Sequence, residues 1–221
     1  MGLLDRGKQQ RAREERRRAR DAILGAAGAL FVEHPYEMVQ LKAIAGKAGV
    51  KQGIPSLLFK DKETLFLEVF LRHFHAWAEP VREELRRMSG EGLGPAGTVI
   101  ARALSEDETF PRLLAVLHNP LERNLEIDSV VEFSERFDTI TGDLGRALEE
   151  ACGADLDGGA GKAAIVRIFA WAAGVLQVTG SCGSLSYLKV RSLWPAARLD
   201  SRRELERLAR AALAADPVRD E

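Results

Sequence analysis

The stretch that decides the fold runs from residue 23 to residue 66 and reads ILGAAGALFVEHPYEMVQLKAIAGKAGVKQGIPSLLFKDKETLF. Apolar residues first recur at intervals of three and four, which predicts a helix that ends before Pro35. A second stripe over residues 41–48 predicts a short helix that Gly49 closes in the left-handed conformation. Another short helix follows, and Asp61 is then typical of an N-cap. These parts form a helix-turn-helix, a motif whose second helix enters the major groove of DNA.

Outward from this stretch, helical periodicity continues to about residue 215, without strand alternation or an internal repeat. We therefore expect an all-α protein with an N-terminal three-helix unit and a larger helical body. The longest clean apolar run, Ile168–Leu176, is nine residues long, whereas a membrane span needs about 20. The charged N-terminus has no apolar signal segment. We expect a cytoplasmic protein with no membrane partner.

The charge is unevenly distributed along the 221 residues, although the net charge is only −1. Residues 1–62 contain 13 Lys/Arg and 7 Asp/Glu, and the remainder contains 19 and 26. The basic segment 1–20 is either a solvated arm or an arm for a polyanion, because the arginine fork donates two hydrogen bonds to one phosphate. The acidic remainder argues against a protein that coats DNA non-specifically, which needs positive charge over a wide surface.

The sequence contains none of the motifs that mark common catalytic or metal sites. It has no H-E-x-x-H, G-x-S-x-G or P-loop pattern. Cys152 and Cys182 are 30 positions apart, a spacing that indicates neither a zinc site nor a disulfide framework. We expect no enzymatic activity, no metal and no cofactor.

The helix-turn-helix stretch resembles the DNA-binding domain of the tetracycline-repressor (TetR) family of bacterial transcription regulators. The resemblance covers about 45 contiguous residues. It rests on Ile23-Leu24, Ala26-Ala27, Leu30-Phe31, Tyr36, Ile44-Ala45, Ala48-Gly49-Val50, Gly53 and Phe59-x-x-Lys62-Glu63-x-Leu65-Phe66.

This sequence departs from the family pattern at several positions. Many members have glycine at the position of Pro35 and an N-capping threonine at that of Gln40. The usual T-L-Y-x-H-F run is replaced by residues 54–59, IPSLLF, so Ser56 takes the place of an aromatic residue that commonly touches a phosphate. An alternative is therefore a TetR-like ligand-binding protein whose specific DNA reading is weakened or lost.

The resemblance implies a homodimeric regulator, more often a repressor than an activator, that a small-molecule effector releases from a near-palindromic operator. It implies three parts: a basic N-terminal arm (1–20), a helix-turn-helix DNA-binding domain (21–66) and a helical ligand-binding and dimerisation domain (67–221). The last two helices, at about 162–185 and 201–215, would form half of a four-helix dimer contact.

Pro55 is tolerated only in the first turn of a helix, so we expect the recognition helix to begin near Gln52 or later. Helical spacing then turns Pro55, Leu58 and Phe59 towards the core. The residues expected to contact DNA are Arg16, Arg17, Arg18, Gln40, Lys42, Lys51, Gln52, Gly53, Ser56, Leu57, Lys60 and Lys62.

The expected contacts follow the chemistry of each side chain. Gln52 suits adenine, Leu57 a thymine methyl group, and Lys51 a guanine or a phosphate. Lys42, Lys60 and Lys62 are expected at phosphates, and the arm arginines at the backbone or the neighbouring minor groove. For every lysine, simple solvation is the alternative.

In the helical body, apolar and amphipathic residues of the middle helices are candidates for the effector site, with ordinary core packing as the alternative. They are Phe74, Trp77, Phe110, Leu114, His118, Phe133, Phe137 and Trp171. Candidates for the dimer interface are Leu176, Leu205, Leu208, Ala212 and Leu213. For Leu205, Leu208 and Leu213, burial within one chain is the alternative.

Overall fold

The computed structural model describes residues 3–107, 109–117, 125–153, 159–179 and 199–214. Over these residues the chain is all-α, as expected, with nine α-helices and no strand. The helices are α1 (Leu3–Glu33), α2 (Leu41–Ala48), α3 (Ile54–Phe59), α4 (Lys62–Arg87), α5 (Leu93–Glu106), α6 (Phe110–Val116), α7 (Ile127–Cys152), α8 (Ala160–Thr179) and α9 (Ser201–Ala214). A single 3-10 turn, Tyr36–Met38, joins α1 to α2.

The chain forms two compact units, Met1–Val69 and Phe70–Glu221. Their boundary falls inside α4, three residues after the boundary that the sequence suggested. Residue 20 is not a structural boundary, because α1 is one helix from Leu3 to Glu33. The basic arm is therefore the first part of that helix. Its arginine, glutamine and glutamate residues are good helix formers. The side-chain amide of Gln10 donates a hydrogen bond to Glu14 Oε1, one turn later, with Nε2 and Oε1 3.5 Å apart.

The first unit is held together by a small apolar core between α1, α2, α3 and the start of α4. Ile23 and Phe31 of α1, Ile44 of α2 and Phe59 of α3 are buried. Phe66 of α4 makes edge-to-face contacts with Phe31 and with Tyr36, at centroid distances of 5.9 and 4.9 Å. These contacts fix the short helices α2 and α3, which are too short to be stable alone.

The second unit contains a close crossing between α7 and α8. A methyl group placed on Gly145 would lie 2.5 Å from the backbone nitrogen of Lys162. A methyl group on Gly161 would collide with the carbonyl oxygen of Gly145. Only glycine at both positions lets the two backbones approach this closely. The last helix, α9, packs against α5 and α8.

Helix α8 is long and apolar enough to span a membrane by length and composition alone, with a mean hydropathy of 1.3. Its buried side chains, among them Ile165, Ile168 and Phe169, belong to the core of the second unit. Packing against α6, α7 and α9 is the environment of a core helix. Helix α7 begins at Ile127.

Candidate nucleic-acid interface

The turn between α2 and α3 has the geometry of a helix-turn-helix. Gly49 adopts φ 68° and ψ 26°, the left-handed conformation expected for it. The N–H groups of Gly49 and Val50 then donate to carbonyls in the last turn of α2, with Val50 N 3.0 Å from Ala45 O. This arrangement satisfies carbonyls that a helix end otherwise leaves unpaired. The chain thus reverses within a few residues and leads into the second short helix.

Helix α3 separates a buried face from an exposed face, as its spacing predicted. It begins at Ile54 with Gly53 as N-cap, and Pro55 lies in its first turn. Pro55 and Phe59 are buried and Leu58 is half-buried. The residues turned to solvent are Gln52, Gly53, Ser56 and Leu57.

The junction between α3 and α4 is a tight and strained turn. Lys60 has φ 61° and ψ −65°, and the N–H of Asp61 donates to Phe59 O at 2.7 Å. These angles and this hydrogen bond define a γ-turn of the rare, strained type. Asp61 then caps α4, as predicted: its Oδ1 accepts the N–H of Thr64 at 2.7 Å.

Lys62, which is predicted to contact a phosphate, interacts with Tyr36 of its own unit in this structure. Its ammonium donates to Tyr36 O at 2.6 Å and lies 4.0 Å from the centroid of the Tyr36 ring. Burial lowers the pKa of Lys62. The hydroxyl of Tyr36 donates to Glu63 at 3.4 Å, and burial together with Glu63 raises the pKa of Tyr36. Lys62 therefore holds the 3-10 turn against α4, and a phosphate contact would have to replace these interactions.

Arg20 is a residue of this unit that the sequence analysis overlooked. Its guanidinium lies 4.5 Å from the centroid of the Phe59 ring and pairs with Glu68 at 3.0 Å. It thereby links α1 to both α3 and α4. The sequence does contain a signal for this inward-facing position, because Arg20 lies three residues before buried Ile23 and so shares its face of α1.

Most of the other residues predicted to contact DNA are exposed in their own unit. Arg16, Arg17 and Arg18 are exposed on α1. Gln40 is the exposed N-cap residue of α2 and makes no capping hydrogen bond with its side chain. Among the lysines predicted to contact DNA, Lys42, Lys51 and Lys60 are exposed.

In the second unit, most of the candidate effector residues pack against one another. The rings of Phe74 and Phe110 stack at 5.1 Å, and Trp77 stacks on Phe110 at 4.9 Å. The cluster also includes Phe133, Phe137, Phe70 and Phe169, of which the last two were not predicted. Leu114 is buried nearby on α6. In this structure the rings pack directly against one another, and Phe133 and Phe137 are half-buried.

Of the two remaining candidates, Trp171 lies in the described part of the chain. Trp171 is half-exposed and, two residues after Phe169, projects from another side of α8. His118 lies outside the described residues. Trp77 has a buried indole N–H for which the described part of the chain provides no acceptor.

Of the predicted dimer residues of α9, Leu205, Ala212 and Leu213 are buried inside one chain, whereas Leu208 is not fully buried. Leu205 and Leu213 are each 3% exposed and Ala212 is fully buried. Arg167 of α8 donates to the carbonyl of Ala212 at 2.7 Å. These side chains cover α5 and α8, and they are unavailable to a second subunit. Leu208 and Leu176 are half-buried.

Comparisons with known proteins assign both units. Residues 23–69 match the family model described as bacterial regulatory proteins of the tetR family. Residues 71–214 match the model of the tetracyclin repressor-like C-terminal domain. No curated protein matches the sequence significantly.

Solved structures share the fold at low sequence identity. A transcriptional regulator from Rhodococcus sp. RHA1 superposes with a TM-score of 0.61 at 19% identity, over 89% of this chain and 95% of that one. A TetR-family regulator from Mesorhizobium loti has a TM-score of 0.56 at 20% identity (90% and 95% covered). The fatty acid degradation regulator FadR from Bacillus halodurans has 0.55 at 19% (92% and 97%). By both of its domains, this chain belongs to the TetR family of bacterial transcription regulators.

Proposed function

We propose that this protein is a cytoplasmic, homodimeric repressor that binds a near-palindromic operator and is released from it by a small-molecule effector. The observation that carries the proposal is the exposed face of α3, where Gln52, Ser56 and Leu57 point away from a core that includes Pro55 and Phe59. A helix held in this way can enter the major groove without rearranging its own unit.

Two groups of cations support the orientation of this unit on DNA. Lys42 near the start of α2, and Lys51 and Lys60 at the two ends of the α3 segment, are exposed around the reading face. Arg16–Arg18 add charge on α1. Phosphate contacts of this kind set the register of a protein on a duplex but carry no sequence information. Base reading is then left to α3.

A dimer contact through α8 is supported by an apolar side of that helix that faces solvent in the single chain. Its residues recur at helical spacing and are mostly small: Ala163, Val166, Ala170, Gly174 and Val178. Val166 and Val178 are 45% and 43% exposed. A second copy would cover this side, and its symmetry would place two recognition helices on the two halves of a palindrome.

Effector binding is proposed for the aromatic cluster of the second unit, which is large, apolar and built from four helices. Because the rings pack directly against one another, a ligand would have to separate them. The effector would then favour a conformation in which the two recognition helices no longer fit the operator, by its higher affinity for that conformation.

The test is a fluorescence-anisotropy titration with DNA that flanks the protein's own reading frame, across a salt series. A random duplex of equal length is the control. We expect the flanking DNA to bind about 10³-fold or more tightly than the control, with two chains bound per duplex. Equal, steeply salt-dependent binding to both duplexes would leave only the phosphate contribution. That outcome would favour the alternative, a ligand-binding protein whose DNA reading has been lost.

A further inference from the structure

The most exposed large apolar side chain on the reading face is that of Leu57. It is 74% exposed, although it belongs to a six-residue helix whose other large apolar residues are turned inward or half-buried. Leu57 is flanked on that face by Gln52, Gly53 and Ser56. The centre of the face is therefore a hydrocarbon group.

The edges of the bases in the major groove offer few apolar partners for such a group. Guanine and adenine present hydrogen-bonding atoms there, and unmodified cytosine presents an amino donor. Thymine adds a methyl group on C5. 5-Methylcytosine carries a methyl group on the same ring atom. A leucine in this position gains contact area from a C5-methyl group and leaves polar atoms of the other base edges without a partner.

We propose that Leu57 reads the 5-methyl group of a pyrimidine, thymine in unmodified DNA, once in each half of the operator. This inference rests on the proposed function, because it specifies what the same recognition helix detects. It makes operator binding dependent on a methyl group, and therefore sensitive to methylation of a cytosine at that position.

The experiment begins with an operator, taken from the flanking DNA or selected by the purified protein from a random duplex library. Each thymine is then replaced by deoxyuridine, a change that removes only the methyl group. We expect one symmetry-related pair of positions to weaken binding about fourfold for each methyl group removed, the effect of about 0.8 kcal/mol for one buried carbon. Removing both should weaken it about 16-fold.

The variant Leu57→Ala tests whether this residue is responsible. It should bind the thymine operator as weakly as the wild type binds the uracil operator, and the difference between the two operators should disappear. Met38→Ala is the matched control, since Met38 is an equally exposed apolar residue (71%) of the same unit outside α3. It should retain the full ratio between thymine and uracil.

A further arm distinguishes the two sources of the methyl group. At the sensitive position, a C·G pair is compared with a 5-methyl-C·G pair, and the wild type should bind the methylated duplex about fourfold more tightly. Equal binding to the methylated and unmethylated duplexes would mean that Leu57 detects the methyl group of thymine but not that of 5-methylcytosine. A specific operator that is insensitive to every uracil, or a sensitivity that Leu57→Ala preserves, would overturn the inference. Failure to select any operator would instead refute the proposed function.

Discussion

At the scale of single residues, the unusual backbone of Lys60 lies in the connection that sets the direction of α3. Among the residues that the structure describes, Lys60 is the one non-glycine residue with a positive φ angle. Its conformation combines φ 61° with ψ −65°, and such positions cost about 1–3 kcal/mol unless glycine occupies them. The strain persists because buried Phe59 on one side and the capped start of α4 on the other over-determine the turn.

Replacing Lys60 with glycine should therefore stabilise the protein. Relief of the strain exceeds the extra entropy that glycine loses on folding, so we expect the free energy of unfolding to rise by about 1 kcal/mol. Urea denaturation followed by circular dichroism measures the change. The control is Lys51→Gly, at another exposed lysine without positive φ, which should lower stability by about 0.5–1 kcal/mol. Equal losses in both variants would show that the Lys60 turn is unstrained.

Lys62 and Arg20 show, also at this scale, why a basic residue near a DNA-binding helix is not necessarily a DNA contact. Both side chains lie against aromatic rings of the same unit. A cation over an aromatic ring gains about 0.5–2 kcal/mol, depending on its desolvation. The two residues fix the positions of the 3-10 turn and α3.

At the scale of elements, the crossing of α7 and α8 is the contact with least tolerance. Backbone meets backbone at Gly145 and Gly161, so no flexible side chain can move aside. Lys162 then pairs with Asp138 across the same two helices. The aromatic cluster also draws on both helices, through Phe137 and Phe169.

Gly145→Ala should separate these helices and lower the free energy of unfolding by about 1–3 kcal/mol, the usual cost of overpacking. The matched control is Gly142→Ala, one turn earlier in α7, where the added methyl group would meet only the end of the Arg146 side chain, at 3.9 Å. Alanine is the better helix former, so this control should be neutral or stabilising by up to about 1 kcal/mol. The measurement is the melting temperature of each variant relative to the wild type, determined by thermal unfolding. Equal melting temperatures would contradict the close crossing.

At the scale of the whole molecule, charge is segregated along the chain. Residues 1–62 carry an excess of six positive charges, and the remainder an excess of seven negative charges. A polyanion is attracted to the first part and repelled by the second, so the charge distribution orients the protein as it approaches DNA. The long helix α1 carries 8 of the 13 Lys/Arg residues of the first part.

Exchange of Arg16, Arg17 and Arg18 for glutamine should make operator binding less dependent on salt. Each phosphate contact that is lost changes the slope of log K against log salt by about 0.9, so six lost contacts per dimer, three from each chain, change it by about 5. The control exchanges Arg203, Arg207 and Arg210, exposed residues of α9, and should leave the slope unchanged. Anisotropy titrations from low to moderate salt measure it. If the salt dependence of the α1 variant were unchanged, these arginines would not contact phosphates, and the arm would be a solvated helix.

The sequence by itself determined the all-α class, the helix-turn-helix and the inward and outward faces of α3. These features depend on local physics: 3.6-residue periodicity, the left-handed glycine at position 49, the proline in the first turn of α3 and the carboxylate cap at Asp61. Each acts between residues close in the chain, and each is present in the structure.

Only the tertiary structure decided which partners those residues meet. It placed Lys62 on Tyr36 and Arg20 on Phe59 and Glu68. It also buried Leu205 and Leu213 of α9 inside the chain. It also extended α1 through the basic arm and packed five of the eight candidate effector residues into one aromatic cluster, Phe74, Trp77, Phe110, Phe133 and Phe137. A stripe of leucines or a lysine beside a helix is compatible with several neighbours, because periodicity defines a face but not what covers it. The choice comes from packing between segments that are far apart in the chain.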